Sequence, residues 1–446
     1  MLYQPANCNQ MGFYTTFEEQ LSHKHPLYIL ANRINWQKFE DAFSKLYSEE
    51  GRPAKPIRLM VALLILKHIR NISDESVVEQ WEENSYYQYF SGEKMFAIGP
   101  PCEASELVHF RKRIGEEGIE LIFEESIRMN GDDSNDKHVT TDTTVQEKNI
   151  TFPTDAKLHR KIIKKCRQIA KAEQLPVRQS YTRTLKKLSI DQRFRNHPRN
   201  KNRARKADKK VKTIAGRLVR ELERNLPPGS VHQNKIDLFN RVLSQKKNDS
   251  NKIYSLHEPD VQCMAKGKEH KKYEFGNKVS ITYTQNTGVI VGAKSFRNQY
   301  DGHTLQPALE QVTKLTGHWP QTATVDRGYR GQLQIGETII QTPKPFNNAI
   351  QTKHKQQALK KSFKRRAAIE PVIGHLKADH RLSRNFYWKI FGDNINVMLS
   401  AAAFNFKRMM NLWKKNPLLF LFEFFKQLFI PSQQYNLSIV GVKRGF

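Results

Sequence analysis

Apolar residues recur at intervals of three and four through the first part of the chain, which predicts helices. Trp36, Phe39, Phe43 and Leu46 follow that spacing. Pro53 and Pro56 interrupt it, and the run Ile57–Leu66 that follows is apolar on nearly every side, as a buried helix would be. Ser73, just ahead of Ser76-Val-Val-Glu-Gln-Trp81, reads as the cap of a third helix. A fourth, Ser105–Ile114, ends in a basic cluster. The pattern is helical from Leu27 to about Ile127, residues 1–24 show no period, and Gly131–Asp136 is a polar linker.

The period then changes to two. Alternation puts His138, Thr140, Asp142, Thr144 and Gln146 on one face of a Val- and Thr-rich strand, with Val139, Thr141, Thr143 and Val145 on the other. Lys278–Thr284 and Val289–Phe296 flank Asn286-Thr-Gly288, a hairpin signal. Asp301 opens a helix to about Leu315, in which His303 reads as a turn or capping residue. Strands resume at Thr322–Asp326 and Thr338–Thr342, closed by Pro343 and Pro345. A small-residue-rich helix, Asn394–Leu412, is expected to pack against the sheet.

Between the first strand and the hairpin lies a different kind of segment. Residues 156–225 carry 24 Lys or Arg against 5 Asp or Glu, a net of +19 out of the chain's +30. Heptad-like apolar positions (Leu158, Ile162, Ile169; then Val211, Ile214, Leu218, Leu222) predict long helices here, and Asp155 reads as an N-cap. Such a charge repels itself without counterions, which points to a polyanionic partner. Lys201, Arg203, Arg205, Lys206, Lys209 and Lys210, in the densest part, are the expected contacts to a nucleic-acid backbone. Few aromatics interleave, so stacking on single strands fits less well.

Composition narrows the class further. Hydrophobic content of 38% with 26% charged residues suits a soluble chain large enough for two or three domains. Cys8, Cys102, Cys166 and Cys263 are widely separated, so neither a disulfide framework nor a zinc knuckle follows. The opening residues carry no charged-then-apolar signal segment. The apolar run 418–429 contains Glu423 and Lys426 and is too short to span a bilayer; it reads as a packing or dimerisation helix. A cytoplasmic protein is expected.

Three acids stand out against this background. Asp142 and Asp326 lie on predicted strands, and Glu370 lies in Phe363–Lys377. At 100° per residue, Phe363, Arg366, Glu370 and Lys377 fall within about 60° of one another on a helix, beside an apolar face of Ile369, Val372, Ile373 and Leu376. Pro371 complicates that helix: either a new one starts near Glu370 or a longer one kinks there, and a new start takes Arg366 out of register with Glu370. Two strand-borne aspartates and a helix-borne glutamate suit Mg²⁺ or Mn²⁺.

Asp142-Thr-Thr-Val-Gln146, Asp326-Arg-Gly-Tyr329 and the Phe363, Arg366, Glu370, Lys377 set occur in this order. Together they resemble the DDE transposases of bacterial insertion sequences, in the group related to insertion sequence five. That family's tyrosine–arginine–glutamate–lysine signature has the same spacing, with Phe363 here in place of tyrosine. The resemblance covers about residues 25–412 and includes Gly51-Arg-Pro and the apolar helix after it.

The resemblance implies an α/β fold: a ribonuclease-H-like mixed sheet with a basic helical insertion, preceded by an all-α N-terminal domain. The domains would be a helical DNA-binding and assembly domain (1–130), a catalytic domain (137–412) with its insertion at about 156–250, and a C-terminal helix and tail (413–446). Asp142, Asp326 and Glu370 would be the catalytic and metal-holding residues, with Asp142 bridging two Mg²⁺ or Mn²⁺ ions and each other acid completing one ion's shell. Lys377 would contact the phosphate beside the cut, and Arg366 would brace the acid or contact DNA. The activity implied is binding of double-stranded terminal inverted repeats, metal-dependent cleavage and strand transfer into target DNA. It would proceed in a homodimer, without a membrane, at the nucleoid of a bacterial cytoplasm. A metal-dependent nuclease without strand transfer, and an inactive sequence-specific DNA-binding protein, are the alternatives.

Overall fold

The computed structural model describes residues 15–415 except 49, 228, 247, 266–271, 298, 330, 332 and 344–352. The apolar run 418–429 and the tail 430–446 lie outside the described residues. The chain divides into two units: residues up to Ser134 with those from Ala401 onward, and Asn135–Ser400.

The first unit is helical: α1 (Phe17–Gln20), α2 (Pro26–Arg33), α3 (Trp36–Phe43), α4 (Ile57–Arg70), α5 (Asp74–Glu83), α6 (Ser85–Phe90) and α7 (Ala104–Arg128). As its composition requires, α4 is buried along nearly all its length. Ser73 caps α5, its hydroxyl accepting from Ser76 N–H at 3.1 Å. The predicted fourth helix ends on schedule at Ile114, because Gly115 adopts φ 66°, ψ −167°, a conformation that favours glycine; helix then continues to Arg128. Part of the basic cluster at the end of this helix turns inward. Buried Arg111 grips both oxygens of Asp74 at 2.8 Å, and Lys67 Nζ reaches the same carboxylate at 2.8 Å. Burial alone would raise the Asp74 pKa, but the Arg111 hydrogen bonds and the two positive charges bring it down to about 2. The polar linker is a 3-10 turn, Gly131–Asn135.

The second unit contains a mixed sheet: β1 (His138–Lys148), β2 (Gln262–Ala265), β3 (Tyr273–Thr284), β4 (Ile290–Phe296), β5 (Thr322–Thr324), β6 (Gln334–Ile335), β7 (Thr338–Gln341) and β8 (Arg384–Asn385). Its order is β2-β3-β1-β5-β7-β6, with β4 paired to β3 and β8 to β1. β1 is central, antiparallel to β3 and parallel to β5. The predicted hairpin is β3–β4. Between β1 and β2 run α8 (Asp155–Ala172), α9 (Thr182–Asp191), α10 (Pro198–Asn225) and α11 (Gln233–Ser244). All seven heptad-like apolar residues are buried in the insertion's own core, each worth about 1.5–3 kcal/mol when fully buried. Thr154 caps α8, accepting from Lys157 N–H, whereas Asp155 is its first residue and pairs with Lys252 at 3.0 Å. The cap therefore falls one residue earlier than expected.

After β4 come α12 (Asp301–Thr316), α13 (Lys353–Arg366), α14 (Ile369–Asp379) and α15 (Lys389–Lys415). The last helix divides between the units. In its first half Asn396 donates to Gln146 Oε1 of β1 at 2.7 Å and Asp393 pairs with buried Lys148 at 2.9 Å. Its second half joins the N-terminal helices: Asn405 donates to Ser126 Oγ and Arg408 to Asn130 Oδ1. The expectation that this helix lies against the sheet thus holds for half of it. Among the described residues no helix is long and apolar enough to cross a membrane.

Candidate active site

Parallel pairing of β1 with β5 runs from His138↔Thr322 to Thr140↔Thr324. Carrying that register two residues further sets Asp142 opposite Asp326. There β5 has ended, and the chain turns away through a 3-10 segment, Arg327–Tyr329, held by Gly328 N–H donating to Asp326 Oδ1 at 2.6 Å. On this edge of β1 pairing resumes only at Glu147 and Lys148, with β8. Asp142 therefore stands where the sheet is open between two short partner strands.

Its carboxyl is 20% exposed. Burial pushes its pKa up to about 6; the charges of Asp326 and Asp301 act the same way, while the Thr143 N–H and Arg366 oppose them. Thr143 N–H donates to Asp142 Oδ1 at 2.7 Å, and Arg366 Nη1 lies 3.7 Å from Oδ2. A second carboxylate that raises the cost of ionising Asp142 suits a hard cation, and Gly328 leaves the space beside Asp326 free of a side chain. A Cβ on Gly328 would sit 2.9 Å from Asp326 Oδ1 and 3.4 Å from Asp301 Oδ2.

Asp301 is the residue the linear pattern missed. As the first residue of α12 it looked like a helix opener. The fold instead gives it Lys278 at 2.7 Å and the Thr143 hydroxyl at 2.7 Å, beside the other two aspartates. Beneath them Tyr329 is buried, and its hydroxyl stands among Asp142, Asp301, Thr304 and Thr143 without closing a full hydrogen bond. Burial, then the charges of Asp142 and Asp301, hold that phenol well above its usual pKa. The signal for Asp301 lay in its partner, since Lys278 and Asp301 bracket the predicted hairpin.

The single helix drawn through Phe363, Arg366, Glu370 and Lys377 is two helices. α13 ends at Arg366, α14 begins at Ile369, and Glu370 N–H bonds Ala367 O at 3.2 Å. Pro371 fits this break, because the first turn of a helix needs no donor at that position. Arg366 consequently leaves the Glu370 face and turns to Asp142. The end of α13 is pinned to the hairpin by Tyr283 Oη donating to Arg365 O at 3.1 Å. Ile369 and Leu376 bury α14, whereas Val372 and Ile373 are half-buried. Glu370 is exposed in its first turn and Lys377 is half-buried in its last. Among the described residues no three His, Cys, Asp or Glu side chains are grouped to hold a metal ion; Asp142 and Asp326 come together at the β1–β5 mouth. On the insertion Lys201, Arg205, Lys206, Lys209 and Lys210 are exposed, while Arg203 pairs with Asp191 at 2.6 Å.

Two family models match the chain. One, described as a transposase domain (DUF772), matches residues 15–113, and the other, a transposase DDE domain, matches residues 230–406. A protein of Rhizobium meliloti described as uncharacterized protein ORF8 in nfe locus is 39% identical over 201 residues, 44% of this chain and 97% of that protein. No solved structure matches the chain. The matches assign the chain to the transposases of mobile elements. It belongs to the DDE family and is a DDE-type transposase, an enzyme of a class that acts on DNA and generally uses divalent metal ions.

Proposed function

We propose that this transposase binds the terminal inverted repeats of an insertion sequence, cuts them in a metal-dependent reaction and joins the freed 3′ ends to target DNA. The catalytic unit is read as a ribonuclease-H-like sheet, and Asp142, Asp326 and Glu370 as the acids that hold two Mg²⁺ or Mn²⁺ ions. The observation that carries the reading is the apposition of Asp142 and Asp326 at the mouth between β1 and β5, with Arg366 at 3.7 Å. When bound, divalent ions supply a nucleophile active at neutral pH and relieve charge on the attacking and leaving oxygens. Asp142 and Asp326 act as oxygen donors, and Arg366 favours the ionised form of Asp142. Glu370, exposed on the first turn of α14, would complete the donor set for the ions. Lys377, two turns along the same helix, contacts the phosphate beside the cut. The N-terminal helices (1–130) engage the ends, a homodimer pairs them, and the reaction takes place in a bacterial cytoplasm at the nucleoid.

The test is cleavage of DNA carrying the inverted repeats that flank the gene, followed by joining of pre-cut ends to a target plasmid. Nicking at the repeat ends with Mg²⁺ or Mn²⁺ and none with a chelator is the expected result. Cutting without joining reduces the protein to a nuclease, and binding without cutting reduces it to a DNA-binding protein.

A further inference from the structure

The helical insertion holds a groove between α10 and α11 with a volume of about 890 Å³. Four cations line it, Lys209, Lys212 and Arg220 from α10 and Arg241 from α11, and no carboxylate does. All four are exposed, and among the described residues none of them makes an ion pair. Elsewhere on the same insertion cations are engaged internally: Arg203 with Asp191, Arg195 with Asp208, and Arg160 with the Gln192 side chain at 2.6 Å. Other exposed cations of the insertion, Lys201, Arg205 and Lys206 among them, are also unpaired among the described residues, but in the groove four such cations from two helices line one concave surface.

Gly216 sharpens the point. Lys212, Gly216 and Arg220 are spaced by four and share one face of α10. Glycine in a helix interior costs roughly 0.5–1 kcal/mol relative to alanine. Nothing in the packing calls for it here, since an added Cβ would meet only the Arg220 guanidinium, at 3.3 Å. A glycine between two cations on a groove wall keeps the helix surface low where a ligand has to come close. Lys212 and Arg220 are separated by about 12 Å along the helix, a run of a few phosphates on one strand, whose charges follow at about 3.4 Å along the duplex axis. No aromatic lines the groove, so base stacking is not what it offers.

We propose that the α10–α11 groove seats the phosphate backbone of double-stranded DNA, through Lys209, Lys212, Arg220 and Arg241. The inference rests on the reading that this transposase binds duplex DNA. It moves the contact away from the six cations expected from the sequence, of which Lys209 alone lines the groove, one to three turns toward the carboxyl end of α10.

The experiment measures affinity of the full chain for duplex DNA carrying the flanking inverted repeats, in chelator, between 50 and 200 mM salt. The variant Lys212→Gln/Arg220→Gln/Arg241→Gln is expected to flatten the slope of log K against log salt by roughly 2.7, about 0.9 for each phosphate no longer neutralised. A surface control, Lys201→Gln/Arg205→Gln/Lys206→Gln, should change it by less than about 1. Gly216→Leu keeps every charge and removes a helix-interior glycine, so it should fold at least as stably while binding severalfold more weakly, because it fills the groove. An unchanged slope in the groove variant, an equal loss in the control, or full affinity in Gly216→Leu overturns the groove and leaves the transposase reading standing. Wild-type protein with no salt-dependent DNA binding overturns both.

Discussion

Arg366 Nη1 lies 3.7 Å from Asp142 Oδ2, joining the end of α13 to the central strand of the sheet. The arginine lowers the Asp142 pKa, and Asp326 raises it. Replacing either neighbour should move that carboxyl in a known direction. Arg366→Gln removes the cation, so Asp142 ionises at a pH above its present value of about 6, and the acid limb of metal-dependent cleavage shifts to higher pH. Asp326→Asn removes a like charge and shifts Asp142 to lower pH, read by carboxyl ¹³C titration because cleavage is expected to be lost. Shifts of the same sign in both variants would separate Asp142 from these partners.

Gly328→Ala tests the space beside the acids. Its backbone is ordinary, yet a Cβ would stand 2.9 Å from Asp326 Oδ1. Cleavage should fall about tenfold or more, equivalent to roughly 1.4 kcal/mol in the barrier, with little change in the unfolding midpoint. A wild-type rate in this variant places the reacting groups elsewhere.

Glu370 separates chemistry from folding. It is exposed, and among the described residues its side chain makes no ion pair or hydrogen bond. Glu370→Gln should therefore change stability by no more than about 0.5 kcal/mol, while metal-dependent cleavage falls about 10²-fold or more and DNA binding persists. Near-normal cutting would remove Glu370 from the donor set.

Asp74 makes the N-terminal unit sensitive to acid. Its carboxyl is held at about 2 in the folded chain, below its ordinary 3.8. A depressed carboxylate pKa gives stability that is complete above the unfolded value and is lost as pH falls toward 2. The amount is about 2–2.5 kcal/mol. Asp74→Asn leaves Arg111 and Lys67 as buried cations and should cost about 3–5 kcal/mol at pH 7. Urea titrations at pH 7 and pH 2.5 should show the gap between wild type and variant closing at the lower pH.

How legible the protein was varies by element. Local signals located α4, the Ser73 cap, the β3–β4 hairpin and the amphipathic α8 and α10, because spacing and turn chemistry are properties of neighbouring residues. Pairings were not legible. Arg111 was one member of a basic cluster until Asp74 met it, and Asp301 a helix opener until Lys278 and Thr143 did. Arg366 fitted a helix with Glu370 by angle alone; Pro371 warned of the break without saying which partner the arginine would take.

By itself the sequence determined the order of helices and strands, the concentration of positive charge in one insertion, and three acids in the order of a known family. Each of these is set by what lies within a few residues along the chain. The tertiary structure decided which acids meet and which cations come to line one groove. The β1–β5 register brings Asp142 to Asp326, Arg366 and Asp301 converge on the same mouth, and the core between α10 and α11 leaves a cationic groove outside it. Those outcomes depend on strand register and helix packing between segments far apart in the chain, which no local period encodes.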